Sequence, residues 1–275
     1  MIPTHDSERT NRSEIIVNHL KQLNDYDYRE PHRHNYFELF YFIKGGGFHK
    51  IDFVKFDIES NSCHIICPGQ VHQMKRNLDS EGFVILFELN ALKAPKEIEN
   101  FLFQQMCMDI GENKPSYCFS KEKFDLLNYK IKNILSLYKD KSELSLLSLK
   151  NEVQSFLIEC MKESDQTNTS ASSPEYFNFR KLLHSNFLTM KKVKDYAEAL
   201  NLTEKTLNEI VKKNTGESTS SMIYRQIIME AKRLLHTGIS IKETAYSLNF
   251  EDPAHFSKFF KTKTGISPSK FQNYT

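Results

Sequence analysis

Between Val193 and Gly265 one pattern is written twice, and it leaves that part of the chain little choice of fold. In the second copy Ser240 and Glu243 have the spacing of a helix capping box. Ile241, Ala245 and Leu248 then recur at helical spacing up to Asn249-Phe250, where asparagine tolerates the left-handed conformation of a tight turn. Asp252 supplies the next N-cap, and Pro253 stands at the first helical position, where its missing N–H costs nothing. Phe256, Phe259 and Phe260 make an inward stripe, while Ala254, His255, Lys258 and Lys261 face outward. The first copy repeats each step: Val193, Ala197 and Leu200, a turn at Asn201-Leu202, a cap at Thr203, then Leu207, Ile210 and Val211 inward. Lys205, Asn208, Glu209 and Lys212 face outward. The copies end alike, in KKNTG and KTKTG, and a helix expected over Met222–His236 joins them through Ile223, Ile227, Ala231, Leu234 and Leu235. Two helix-turn-helix units in tandem are the expected structure.

Charge separates this region from the rest. From Phe177 onward there are 16 Lys+Arg against 9 Asp+Glu, whereas the residues before it hold 21 against 26. A basic third joined to an acidic remainder fits a nucleic-acid-binding part attached to something that binds other chemistry. With EAKRLL in the joining helix and the ending GISPSKF, the region from about Phe177 to Tyr274 resembles the DNA-binding domain of the AraC/XylS family of bacterial transcription regulators. The resemblance implies that each second helix enters the major groove, in successive turns of one DNA face about 34 Å apart. Carried over position by position, the base-reading residues are Lys205, Thr206, Asn208 and Glu209 in the first unit and Ala254, His255 and Lys258 in the second. Asn208 is suited to pair with adenine, His255 and Lys258 to donate to guanine, and Ala254 to touch a thymine methyl. Lys212, Lys213, Lys261 and Lys263 are the expected phosphate contacts. Two positions depart from the family pattern. Asn249 replaces the usual glycine, and Glu209 lies where an arginine is frequent, which disfavours phosphate and suits a cytosine amino group.

Before this region the character is β. Phe37, Leu39, Tyr41 and Ile43 alternate, Gly45-Gly46-Gly47 turns the chain, and strand-like runs follow at Phe48–Phe53, Cys63–Cys67 and Phe83–Leu89. HRHNYFELFYFIKG, from His32, and PGQVHQMKRN, from Pro68, resemble the two motifs of cupins, which are small β-barrels. In metal-binding cupins the residues matching His32, His34, Glu38 and His72 converge on one ion. Independently, His32 and His34 project to one side of a strand, and Glu38 joins them if the strand runs unbroken. Three imidazoles and a carboxylate suit Zn, Fe, Mn or Ni. Histidines that serve only as hydrogen-bonding core residues would give the same sequence. No cofactor is required, and a divalent transition metal in the barrel is one reading of these four.

Two helical stripes follow, Phe124, Leu127, Ile131, Ile134, Tyr138 and Leu149, Val153, Phe156, Leu157, Cys160, suited either to pack on the barrel or to pair two copies. Glu163 to Pro174 is polar, small-residued and aperiodic, and reads as a linker. The expected architecture is an α+β multidomain chain. It comprises an N-terminal cupin-like β-barrel with flanking helices (1–95), a helical extension (96–163), a flexible linker (164–174) and an all-α double helix-turn-helix domain (175–275). Five cysteines without zinc-ribbon spacing read as reduced core residues, and no apolar run approaches a membrane span. The expected function is a cytoplasmic, homodimeric, sequence-specific regulator of promoter DNA. It would be an activator touching RNA polymerase, controlled by a small molecule in the barrel, with no membrane partner and no enzymatic activity. The rival readings are a metal-dependent cupin enzyme that binds DNA secondarily and a regulator that answers to a protein partner.

Overall fold

A computed structural model describes residues 4–5, 15–20, 30–107, 115–140, 142–164 and 173–274. The chain divides into two compact units, Ile2–Asn168 and Thr169–Thr275. The middle of the expected linker, 165–172, lies outside the described residues.

Among the described residues the N-terminal unit has ten short strands and four helices: β1 (Thr4–His5), β2 (Ile16–His19), β3 (Arg33–His34), β4 (Phe37–Lys44), β5 (Gly47–Ile51), β6 (Val54–Asp57), β7 (Ser62–Ile66), β8 (His72–Arg76), β9 (Glu81–Phe87), α1 (Leu89–Leu92), α2 (Lys96–Cys107), β10 (Ser116–Cys118), α3 (Lys121–Lys139) and α4 (Glu143–Glu163). A five-stranded sheet runs β10-β7-β4-β9-β2 and a three-stranded sheet β6-β5-β8, with every neighbour antiparallel. β1 and β3 make a separate parallel pair.

Phe37, Leu39 and Tyr41 of β4 share a core with Leu127, Ile131, Ile134, Val153, Phe156 and Cys160 of α3 and α4. Phe40 and Phe42 point the other way, into a second cluster with Ile51 of β5, Ile66 of β7, Met74 of β8 and Val84 of β9. The alternation at 37–43 is therefore not hydrophobic-in, polar-out, because both faces of β4 are covered. That explains the unbroken FELFYF. The turn between β4 and β5 needs its glycines. A Cβ at Gly45 would collide with the backbone of Ile58–Ser60, and Gly46 and Gly47 have φ of +119° and +94°.

Two observations bear on residues 96–163. The segment from 96 to 163 is not a separate extension, since β10 pairs with β7 at the sheet edge and both helical stripes lie in the barrel's own outer core. Of the two packing choices open to those stripes, burial against their own chain is the one observed. Each large aromatic so buried contributes about 1.5–3 kcal/mol.

Among its described residues the C-terminal unit is all helical: α5 (Pro174–Asn186), α6 (Val193–Ala199), α7 (Glu204–Thr215), α8 (Thr219–His236), α9 (Ile241–Ser247), α10 (Pro253–Thr264) and α11 (Pro268–Tyr274). One core, with Phe179, Tyr196, Leu207, Ile227, Ala245, Phe256 and Phe260 among its members, ties both repeats to α8. The repeats superpose in their local chemistry. Asn201 and Asn249 have φ of +55° and +54°. In each turn the following N–H reaches back 2.9 Å to a carbonyl, Leu202 to Ala197 and Phe250 to Ala245. Thr203 and Asp252 cap the second helices, and Gly216 and Gly265 end them in the left-handed conformation. Ser240 and Glu243 form the expected capping box.

Candidate nucleic-acid interface and buried histidine cluster

On α7, Lys205 and Glu209 are exposed, as are Ala254, His255 and Lys258 on α10. Their helices are held from below by Leu207, Val211, Phe256 and Phe260, all fully buried. Two expected readers serve the fold as well. The Asn208 Oδ1 accepts the backbone N–H of Thr219 at 3.2 Å, at the start of α8. The bidentate pairing with adenine expected of Asn208 would draw on the second lone pair of that oxygen. The Thr206 hydroxyl lies 2.8 Å from that of the cap residue Thr203.

Lys212, Lys213 and Lys261 are exposed. Lys263 is exposed too, but its Nζ lies 4.1 Å above the Tyr224 ring, so an aromatic of α8 holds it as phosphate could. A residue that carries no pattern in the sequence is Lys191. Its Nζ donates to the carbonyls of Leu248 (2.7 Å) and Asn249 (2.6 Å) and lies 4.2 Å over the Phe250 ring. The Asn249 Nδ2 in turn donates to the Leu188 carbonyl at 3.1 Å. These reciprocal bonds tie the approach to the first repeat to the turn of the second.

In the N-terminal unit, His34, Glu38 and His72 converge. The Oε2 of Glu38 lies 3.1 Å from the His34 Nε2 and 3.4 Å from the His72 Nε2, and the two nitrogens are 3.1 Å apart. The chain bends at Asn35–Tyr36, so Glu38 does not share one unbroken strand with His34. It reaches the site through the alternation of β4, on the inward face with Phe40 and Phe42. His32, the fourth expected ligand, lies apart from these three. Its Nδ1 faces the Glu30 carbonyl at 3.2 Å and its ring lies beside that of His72, with centroids 4.2 Å apart, outside the three-donor group.

Two further buried histidines adjoin this group. The His49 Nε2 lies 3.0 Å from the His72 Nδ1, and the His49 Nδ1 lies 3.2 Å from the His64 Nδ1. Burial, followed by the neighbouring imidazoles, holds His49 and His72 well below the usual histidine range, and burial lowers His64 to about 4. At neutral pH these three rings are neutral and keep one lone pair each.

Residues 196–274 match a helix-turn-helix domain model, and residues 19–108 match the AraC-like ligand binding domain. The chain belongs to the AraC family of transcription regulators. The Msm operon regulatory protein of Streptococcus mutans is 35% identical over 42% of this chain and 42% of its own length. The uncharacterized HTH-type transcriptional regulator YfiF of Bacillus subtilis is 24% identical over 88% of this chain and 78% of its own. The HTH-type transcriptional activator Btr of the same organism is 24% identical over 89% and 45% respectively. This AraC-family chain thus spans less than half the length of two of these relatives. Among solved structures, the C-terminal domain of AraT from Geobacillus stearothermophilus shares 25% identity over 38% of this chain and 89% of that one, with a TM-score of 0.36. ToxT from Vibrio cholerae shares 15% over 94% and 97%, with a TM-score of 0.43.

The three converging donors of this AraC-family regulator fit a transition metal. Bonds of about 2.0–2.2 Å set cis donors about 3.0–3.5 Å apart around a tetrahedral or octahedral ion, and the observed separations are 3.1, 3.1 and 3.4 Å. Two imidazoles and a carboxylate are a donor set for Zn, Fe, Mn or Ni. Among the described residues no helix is long and apolar enough to cross a membrane.

Proposed function

We propose that this regulator activates transcription from promoter DNA, reading the duplex with α7 and α10 under the control of a small ligand in its N-terminal unit. The observation that carries the reading is the pair of equivalent helix-turn-helix units on one core, each presenting an exposed polar face. Lys205, Glu209, Ala254, His255 and Lys258 are the base readers, with Thr206 and Asn208 supporting them. Lys212, Lys213 and Lys261 contact phosphate, and Lys263 joins them if it leaves Tyr224. Activation is the sense in which Btr is named, and it implies contact with RNA polymerase. The protein acts in the cytoplasm as a homodimer. Leu144, Leu147 and Tyr129, exposed at 77%, 58% and 68% on α4 and α3, supply an apolar face for pairing. The working domains are a ligand-binding unit up to about residue 163, a linker at 164–174 and a DNA-binding domain over 175–275. The enzyme reading has the three metal-compatible donors in its favour. Against it, their side chains expose 2% or less, which leaves little access for a substrate.

The test is fluorescence anisotropy of the full chain on its selected site and on random duplex. Lys258→Ala is expected to weaken the selected site by about 1–3 kcal/mol and random DNA far less. Lys212→Ala is expected to weaken both alike and to lower the salt slope by about 1. Equal losses from both changes on both duplexes would contradict the assignment of base and phosphate contacts.

A further inference from the structure

One carbonyl fixes the protons of four rings. The His34 Nδ1 lies 2.7 Å from the Tyr36 oxygen, so it carries the hydrogen and donates, and in the neutral ring the His34 Nε2 is then a bare lone pair. That lone pair, 3.1 Å from the His72 Nε2, takes the His72 Nε2–H as its donor, beside the Glu38 Oε2 at 3.4 Å from the same nitrogen. The His72 Nδ1 is consequently bare and accepts from the His49 Nε2–H, and the bare His49 Nδ1 accepts from the His64 Nδ1–H. The row ends at the His64 Nε2, buried and without a hydrogen-bond partner among the described residues. Without an ion, every proton in the row is therefore displaced toward the carboxylate.

A cation at the three donors needs the His72 lone pair at Nε2, where the hydrogen now sits. We propose that His72, His49 and His64 form an imidazole relay that switches tautomer as one unit when a divalent transition metal occupies His34, Glu38 and His72. In this switch the His72 Nε2 proton leaves to water as the metal–nitrogen bond forms. The His72 Nδ1 takes the hydrogen of the His49 Nε2, the His49 Nδ1 takes that of the His64 Nδ1, and the His64 Nε2 takes one from water. One proton departs at one end and one arrives at the other, and each ring stays neutral. His49 and His64 are positioning residues: they hold the hydrogen that His72 must carry on Nδ1 when it is a ligand, the usual outer-shell support of a metal-bound imidazole. The relay also carries the loading state across the barrel. It begins at His72 on β8 and ends at His64 on β7, the strand whose other face meets α4, where the Cys63 and Cys160 Sγ atoms are 3.6 Å apart.

This inference takes the metal as the ligand of the regulator proposed above, and its test does not use DNA. Side-chain nitrogen NMR of the full-length protein, ¹⁵N-labelled at histidine, is recorded before and after one equivalent of Zn²⁺, with zinc affinity measured by chelator competition. The expected result is His64 protonated at Nδ1 without zinc and at Nε2 with it. His49→Phe should leave the His64 tautomer unchanged by zinc and weaken zinc binding about 10–100-fold. His64→Phe, which keeps the His72–His49 pair, should weaken it less and serves if the first variant does not fold. A His64 tautomer indifferent to bound zinc, an unaltered affinity in both variants, or no zinc binding by the native protein would overturn the proposal. A protein that switches with zinc yet never binds DNA would instead refute the regulator reading and leave the relay standing.

Discussion

The two units keep their chemistry in opposite places. In the C-terminal unit the polar side chains of α7 and α10 lie on the surface, over a core of leucine, isoleucine and phenylalanine. In the N-terminal unit the reactive groups are inside: His32, His34, Glu38, His49, His64 and His72 are each 3% exposed or less, enclosed by two sheets. An outward array suits a partner larger than the protein's own elements, such as a duplex. An inward array can meet only something small enough to be surrounded, such as an ion. The difference also sets the cost of each site. Exposed lysines cost almost nothing to keep, whereas a buried carboxylate and five buried imidazoles must satisfy one another.

The largest contrast to test is access. Cys63, Cys67 and Cys160 are buried and Cys118 is exposed. In native buffer Cys118 should react with an alkylating agent at least about a thousandfold faster than the other three, which wait on unfolding that costs roughly 5 kcal/mol or more. Mass spectrometry of timed samples reads the ratio, and comparable rates would show that the inner site is not closed.

Next is independence. Phe256→Ala removes a fully buried ring from the core of the C-terminal unit. It should cost about 3–5 kcal/mol there, abolish DNA binding and leave the zinc affinity of the N-terminal unit unchanged. Calorimetry with a zinc titration decides this, and loss of both functions would mean that the units fold as one.

A smaller effect comes from a half-buried histidine of the C-terminal unit. His184 is lowered to about 4 by burial first, with Arg233 and Arg180 adding to the shift and Glu230 opposing it. Its folded value lies below that of the unfolded chain, so the unfolded state binds more protons between about 6.5 and 4. The unit should therefore lose about 1–3 kcal/mol as pH falls through that window. His184→Phe should flatten the loss in urea titrations from pH 7 to 4.5. The least expected effect is that of Asp252→Ala, about 1 kcal/mol for the lost cap of α10, read as a shift in the urea midpoint.

The same inside–outside division decided what was legible in the sequence. The helix-turn-helix units are held by bonds between residues two to five apart: Ser240 with Glu243, Thr203 with Thr206, Asp252 with Ala254, and Phe250 back to Ala245. Local bonds leave local patterns, so both turns and the caps of both second helices could be read directly. The histidine row is held by partners 15, 23 and 38 residues apart. His34 and His72 stood out only through the spacing they share with cupins, and His49 and His64 lie in no motif. They meet because β5 pairs with β8 and β7 with β4, and short strands do not announce their register. β10 was missed for a similar reason, being three residues that pair with a strand some fifty positions earlier. The position of Asn208 on the outer face of α7 does not reveal that α8 begins within reach of its amide.

The measurement closest to the central claim is recovery of genomic DNA fragments by the full chain, with and without Zn²⁺, followed by sequencing of what is bound. The account predicts a bipartite site of two short blocks about one helical turn apart, with an occupancy that changes when zinc is supplied. A single block, or no enriched sequence in either condition, would contradict two reader helices acting together; a bipartite site indifferent to zinc would contradict a metal as the controlling ligand.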